Sequence, residues 1–395
     1  MIMKNKKNPG VIVIGDHIQA LGIIQSLGRR DVPVYLMNHE SLCISRFSRF
    51  CKKFIKCPDL FKDGDPFITF LLDFARRHAV TGWILIPTND RAVYLLSRNR
   101  EALSEFYQVA VPAFEVLQFS YDKQKTYDVA KNAGIPVPKT ICPQRIEDLH
   151  QLLSDFIFPV IIKGREGYHF YKKMGRKAIR CSSIKELMDY YRSHLSLIDP
   201  AETIIQEIIP GKSDQVHSFC SFIKTGRFLG VWMGKKIREH PPEFGTATVA
   251  MSENIHELGE LGLNFLASIN FYGVSEIEFK KDSRDGKYKI IEMNARHWLW
   301  HSLAIHCGVD FPYLLYQDLT GGSVECQTSF KTNAFWIHLY TDLPYGLLQM
   351  FRGTLSLKEF IKPYTEENQL AVFAWDDPLP IIMETILLPY LWIVR

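Results

Sequence analysis

The stretch Val274–Arg296, VSEIEFKKDSRDGKYKIIEMNAR, gathers Glu276, Glu278, Glu292 and Asn294 within one short segment. Two runs rich in Ile, Phe, Tyr and Val flank a polar cluster containing Asp285-Gly286, a strong turn signal, so a β-hairpin is predicted here. With the turn centred near residue 285, paired positions sum to about 570. Glu278 then faces Glu292 and Glu276 faces Asn294. Strand alternation puts all four on one face, with Ile277, Phe279, Ile291 and Met293 on the other. Like charges directly opposed destabilise a sheet. Two readings follow: a hard divalent cation between oxygen ligands, or an acidic face turned to solvent.

Other chemistry-bearing residues are scattered. Lys163 ends the apolar run FPVIIKG and faces a loop, where an ammonium can hold a phosphate or simply reach water. The run TIIQEIIPG is apolar except for Gln206 and Glu207, and it can offer backbone groups and one amide to a purine edge. His297 and His301 in HWLWH have i,i+4 spacing, but Trp298 stands where a zinc-protease glutamate belongs, so they read as core or pocket histidines. Trp298, Trp300 and Tyr316 read as packing before they read as an acceptor pocket.

These residues need elements to position them. Residues 11–120 alternate apolar runs (VIVIG, VPVYLM, WILIP) with helical patterns, the grammar of a doubly wound parallel sheet. The first strand-to-helix turn, GDHIQALG, is not GxGxxG, which argues against a dinucleotide cofactor. Near residue 120 the pattern changes to mixed α+β. A helix ends at Gly134, a basic turn-rich segment REGYHFYKKMGRKAIR follows the Lys163 strand, and a helix led by Ser182-Ser183 comes next. Antiparallel strands around Thr225-Gly226 and a helix near residues 253–269 then precede the hairpin.

Bulk composition narrows the class. The chain has 395 residues, 47% hydrophobic and 23% charged, enough for two or three domains with proper cores. A net charge of +4, with basic residues dispersed apart from MKNKKN and RFCKKFIK, is too weak for nucleic-acid binding. Eight cysteines without a CxxC pair suggest neither a zinc site nor a disulfide framework, and fit a cytoplasmic location. No signal peptide is expected from MIMKNKKNPG. The apolar segment 379–395 is shorter than a usual membrane span and carries Pro380 and Pro389, which are expected to interrupt a long helix. Docking on the protein itself is expected, with peripheral membrane contact as the alternative.

In order, YDKQKTYDVAKNAGIPVPKT, FPVIIK, IIQEIIPG, VSEIEFKKD and YKIIEMNAR resemble the successive signatures of the ATP-grasp superfamily, most closely its carboxylate-amine ligases. The resemblance covers roughly 120–322, and the preceding sheet resembles the N-terminal domain such enzymes carry. It implies an N-terminal Rossmann-like domain at 1–119, and an ATP-grasp domain at 120–322 with subdomains of about 120–200 and 201–322. An extension at 323–395 would follow. It further implies ATP and Mg2+ (or Mn2+), with Lys123 and Lys163 on the phosphates, Gln206, Glu207 and Ile209 around adenine, and Asp214 on the ribose. Glu278, Glu292 and Asn294 become metal ligands, with Glu276 supporting them. The flap after Lys163 departs from the family's glycine-rich pattern, so Lys177 or Arg176 is expected to replace backbone amides there. A small-molecule carboxylate would attack the γ-phosphate, and an amine would displace the acyl phosphate. Arg296 and then Arg238 are the cations expected beside that intermediate. A kinase using a hydroxyl acceptor, or a nucleotide-responsive binding protein, are the competing readings.

Overall fold

The protein, seen in a computed structural model, is described over residues 9–211, 213–242 and 245–394. The basic run MKNKKN, and Glu243 and Phe244 of the loop after Pro241-Pro242, lie outside the described residues.

The N-terminal unit is a five-stranded parallel sheet. Its strands are β1 (Val11–Ile14), β2 (Val34–Asn38), β3 (Cys51–Lys56), β4 (Ile84–Pro87) and β5 (Gln108–Val109), in the order β3-β2-β1-β4-β5. Helices α1 (Ile18–Gly28), α2 (Gly64–Arg77), α3 (Asp90–Arg98), α4 (Arg100–Ser104) and α5 (Phe114–Tyr121) connect and follow them. All four residues of β1 are buried, as an all-apolar central strand covered on both faces must be. Strand order reverses between β1 and β4, which opens a crevice at their carboxyl ends. There Gly15 has φ +101°, and a Cβ on it would meet Thr88 Oγ1 at 2.4 Å, so only glycine fits. Across this turn Asn89 caps α3 by accepting from Ala92 N, which fixes Asp90 at the helix start.

Helix α6 (Lys123–Asn132), capped by Asp122 on Gln124 N, leads into a small antiparallel sheet. Its strands are β6 (Thr140–Ile141), β7 (Val160–Gly164), β8 (Ala178–Cys181) and β9 (Thr203–Glu207), in the order β6-β9-β7-β8. Helices α7 (Leu149–Leu152), α8 (Gly167–Met174) and α9 (Ile184–His194) complete it, the last capped by Ser183 as its sequence predicts. This sheet has a separate core of Leu149, Val160, Ile162, Leu187, Tyr191 and Ile205. Helix α8 replaces the turn-rich segment read from the sequence. Phe170 anchors it over Gly164, whose missing Cβ would lie 2.2 Å from Phe170 Cβ, and Gly175 ends it in the left-handed region.

The largest sheet has seven strands: β10 (Val216–Lys224), β11 (Arg227–His240), β12 (Thr246–Ser252), β13 (Gly273–Lys281), β14 (Tyr288–Asn294), β15 (Phe335–Ile337) and β16 (Asn368–Leu370). Their order is β14-β13-β10-β11-β12-β15-β16, antiparallel except for β15 with β16. Thr225 and Gly226, both with positive φ, make the tight turn between β10 and β11. Around this sheet lie α10 (His256–Ser268), α11 (His301–His306), α12 (Phe311–Leu319), α13 (Leu339–Phe351) and α14 (Leu357–Thr365).

The tail forms α15 (Leu379–Val394), and neither Pro380 nor Pro389 interrupts it, contrary to the sequence expectation. Pro380 sits in the first turn, where no backbone N–H is needed, and Pro389 is tolerated because packing holds both sides. The helix docks on the protein: Leu391 is buried, and Ile381, Leu387 and Tyr390 join the core beneath the N-terminal sheet. Glu384, only 2% exposed, meets His338 Nε2 at 3.0 Å. Just before the helix, Asp377 accepts from Gln25 Nε2, Ser48 Oγ and Arg49 N. Among the described residues, no helix is long and apolar enough to cross a membrane.

Candidate active site

The β13–β14 ladder pairs Glu276 with Asn294 and Glu278 with Glu292, the register expected from sequence. One side chain departs from it. A bulge follows Glu278, so Phe279 pairs with Ile290 rather than Ile291. Ile290 therefore enters the core and Ile291 lines the cleft above the sheet. Tyr127 of α6 donates to the carbonyl of Ile291 (2.7 Å) and holds the bulge in place.

The opposed carboxylates coexist because lysines come between them. Lys123 Nζ donates to Glu292 Oε1 at 2.8 Å, and Lys236 Nζ lies 3.0 Å from Glu278 Oε1. Behind this pair, Glu276 accepts from Ser218 Oγ (2.9 Å) and from Asn294 Nδ2 (3.1 Å), which orients Asn294 Oδ1 toward Arg296 Nη2 (3.2 Å). Arg296 also forks onto Asp90 at 2.6 and 3.2 Å, tying the end of β14 to the start of α3.

Of these groups, Lys236 and Glu278 line a cleft of about 750 Å³ between the two antiparallel sheets, large enough for a nucleotide-sized ligand. Of the residues singled out in sequence, Lys163, Gln206, Ile209, Asp214 and Glu278 line it, whereas Lys123, Glu292, Asn294 and Arg296 lie outside its lining, with the charges of Lys163 and Glu292 still felt by each other. Lys163 Nζ donates to Gln206 Oε1 (3.2 Å), and Gln206 Nε2 donates to Thr140 Oγ1 (2.9 Å). Glu207 borders the cleft too, but its carboxylate accepts from Ile157 N and Arg284 Nη1. As the neighbour of Gln206 on a strand it points to the other face, so what it offers the cleft is backbone. Lys177 is exposed, and its charge reaches Glu292.

Arg238 differs from the expectation of a free cation. It is 5% exposed and locked to Asp342 by Nε (2.8 Å) and Nη2 (2.6 Å), with Nη1 on the Glu359 carbonyl. His297 and His301 are core residues with rings 5.2 Å apart. Burial holds His301 down at about 4 and His297 well below its ordinary value. Trp298 and Trp300 pack on Trp232, away from the cleft.

No family model matches the chain. It is 21% identical over 344 residues to the D-aspartate ligase of Enterococcus faecium, covering 84% of this chain and 82% of the relative. Among solved structures it is similar to the L-amino acid ligase of Bacillus licheniformis (TM-score 0.62, 17% identity, covering 80% of this chain and 75% of the other). It is also similar to the N5-carboxyaminoimidazole synthetase of Staphylococcus aureus in complex with ADP (TM-score 0.64, 15% identity, covering 83% and 81%). The chain has the ATP-grasp fold.

Charge is unevenly distributed in this ATP-grasp cleft. Burial pushes the Lys163 ammonium down to about 8, although Glu292 opposes the shift. Burial alone would raise Glu292, but Lys123, Lys163 and Lys177 hold it at about 2. With 40% of its side chain exposed, its state is set by the surrounding lysines and not by dryness. Burial and then the neighbouring Glu278 push Glu276 up to about 7. Burial opposes the charge on Lys236, but Glu278 and Glu276 raise it above the ordinary lysine range.

Two participants are not identified by the sequence reading. Lys236 stands opposite Glu278 only because β10 separates β11 from β13, and Asp90 reaches Arg296 from 206 positions away. Two adjacent lysines inside a strand, KK in GVWMGKKIRE, were the available signal for the first. Among the described residues no three His, Cys, Asp or Glu side chains converge to hold an ion unaided. Glu278 and Glu292, opposed across the β13–β14 ladder, and Asn294 beside them are oxygen donors of the kind a hard cation accepts together with phosphate oxygens.

Proposed function

We propose that this chain is an ATP-dependent carboxylate-amine ligase with an amino acid as one of its substrates. The observation that carries the reading is a pair of carboxylates opposed across one ladder, each neutralised by one lysine, of which Glu278 and Lys236 line a cleft shared with a third lysine, Lys163, at the end of β7. The likeness to a D-aspartate ligase across four fifths of both chains, and to an L-amino acid ligase structure, supports the reaction class and the substrate class.

In this reading Gln206 and the backbone around Ile209 receive adenine, Asp214 the ribose, and Lys123, Lys163 and Lys177 the phosphates. Glu278, Glu292 and Asn294 would hold a Mg2+ (or Mn2+) ion, which would supply charge neutralisation at the phosphates. Lys123 and Lys236 exchange their carboxylates for phosphate oxygens as the ligand enters, so little charge is left unpaired at either stage. Transfer of the γ-phosphoryl group to the substrate carboxylate breaks the bond to ADP and forms the acyl phosphate. The amine nitrogen then attacks the carbonyl carbon, and phosphate leaves. Positioning and charge neutralisation do most of the work in such transfers. Arg296, already oriented by Asp90 and Asn294, is the cation set beside the intermediate. Arg238 shapes the far wall through Asp342. The eight cysteines, none paired, suit the reducing cytoplasm.

A screen of amino acids and other carboxylates, paired with amines, for stimulated ADP release tests this function. Hydroxylamine should trap a hydroxamate during turnover. ADP production with a phosphorylated hydroxyl product and no hydroxamate would establish a kinase instead. Nucleotide binding without any ADP release under every pairing would favour a binding protein.

A further inference from the structure

The α13–α14 hairpin carries a feature that the ligase chemistry does not use. Leu347, Leu348 and Phe351 close α13, and Leu357 and Ile361 open α14. They are 53%, 42%, 92%, 61% and 40% exposed. Residues 347 and 351, like 357 and 361, are one helical turn apart, so each pair lies along one face of its helix. The tip they form is contiguous in sequence and separate from the core. Cations surround it. The stretch LLQMFRGTLSLKEFIK, residues 347–362, contains Arg352, Lys358 and Lys362 against the single acid Glu359. Glu359 is engaged in a capping box with Ser356. Gln349, Thr354, Leu355 and Lys362 on the same hairpin also line the cleft, so the tip sits at its mouth.

An apolar tip flanked by cations matches the interface of an anionic bilayer, where large side chains enter the headgroup boundary and lysines meet lipid phosphates. The outward stripe of α15, Leu379, Ile382 and Ile386, lacks this complement, because Leu379–Val394 contains no Lys or Arg. A second copy of the chain fits the tip poorly. Five side chains offer far less than the roughly 800 Å² per partner of a stable interface. A two-fold contact would also bring Arg352 and Lys358 against their own copies. We infer that the α13–α14 tip docks on an anionic membrane surface, with the mouth of the cleft held at the lipid headgroups.

The test is co-sedimentation of the full chain with phosphatidylcholine–phosphatidylglycerol vesicles and with pure phosphatidylcholine vesicles, at low and high salt. Binding is expected to the anionic vesicles, to weaken with salt, and to be much lower on the neutral ones. The double variant Phe351→Glu/Leu357→Glu should lower the bound fraction on the order of tenfold or more. Arg352→Glu/Lys358→Glu should do the same. Both should keep the parental melting temperature and the parental rate of ADP release on soluble substrates, which separates this inference from the ligase reading. Equal binding to neutral vesicles, or binding untouched by both variants, would overturn it. So would concentration-dependent self-association that Phe351→Glu/Leu357→Glu abolishes in the absence of vesicle binding.

Discussion

Strand β11 carries two ion pairs two residues apart, and they differ in burial and in how fully they are bonded. Arg238 and Asp342 are 5% and 0% exposed, and both carboxylate oxygens are used twice: Oδ1 accepts from Arg238 Nε and Thr248 Oγ1, Oδ2 from Arg238 Nη2 and Tyr364 OH. Lys236 and Glu278 are 12% and 16% exposed and share one contact at 3.0 Å. An ammonium has three protons and a carboxylate about four acceptor positions, so this second pair has capacity left for a ligand. A charge pair whose bonding capacity is exhausted can only hold the fold together, whereas one with capacity left can also take up a ligand. The Lys123–Glu292 pair, with Glu292 40% exposed, belongs to the second kind.

The sharpest way to break this distinction is Glu292→Gln. It should cut ATP-dependent turnover on the order of a thousandfold, about 4 kcal/mol of lost transition-state stabilisation, while the melting temperature barely moves. Steady-state ADP release beside a thermal melt decides it. Full activity in the variant would remove the site from this hairpin.

Asp342→Asn should do the reverse. Leaving Arg238 partly uncompensated in a dry environment should cost about 3 kcal/mol of stability. A urea titration measures that loss. Turnover per folded molecule should fall far less than in Glu292→Gln, and a loss of equal size would erase the contrast between the two pairs.

Lys163 gives a test by pH. Its folded-state value, about 8, lies below the ordinary lysine value of 10.5. The unfolded chain therefore binds more protons between those values. Ionising Lys163 opposes folding below pH 8, and that penalty fades as pH rises toward 10.5. Phosphate binding has the opposite preference, since it needs the cation. Nucleotide affinity should stay flat below pH 8 and fall about tenfold per unit well above it, with proton uptake on binding near pH 8. Calorimetry in buffers of different ionisation enthalpy reads both, and Lys163→Met should abolish the uptake.

The smallest effect belongs to a third kind of pair. Lys173 and Glu202 meet at 2.5 Å, but their side chains are 40% and 56% exposed. Lys173→Ala should change stability by no more than about 0.5 kcal/mol, because water and salt screen such a pair. A change of several kcal/mol would show that contact distance, and not bonding capacity or burial, ranks the charge pairs of this protein.

Much of the site is legible in the residues because its signals are local. Asp285-Gly286 and the alternation on either side determine the register of Glu276, Glu278, Glu292 and Asn294. The bulge is not legible, since Ile290 and Ile291 are the same residue and only the ladder decides which one enters the core. Helix α8 escapes notice because GYHFYKKM is largely polar and bounded by glycines, with only Phe170 and, partly, Met174 packing it onto the sheet. Strands β15 and β16 have three residues each, too few for a period, and exist because β12 offers an edge. Lys236 and Asp90 depend on pairings made far along the chain. The tail's apolar character predicts burial, but not that Asp377 would reach Ser48.

That contact places a delay in the life of the molecule. Asp377 and Ser48 are 329 positions apart. At about 5–20 residues per second, a ribosome takes roughly 15–65 s to travel between them. During that interval the N-terminal sheet can pair its five strands, while Gln25 Nε2, Ser48 Oγ and the backbone N–H of Arg49 wait for the acceptor they share in the finished protein. The groove that receives α15 stays open for as long. The N-terminal unit matures in two steps, first as a sheet soon after it is synthesised, and again when residues made more than three hundred positions later settle into it.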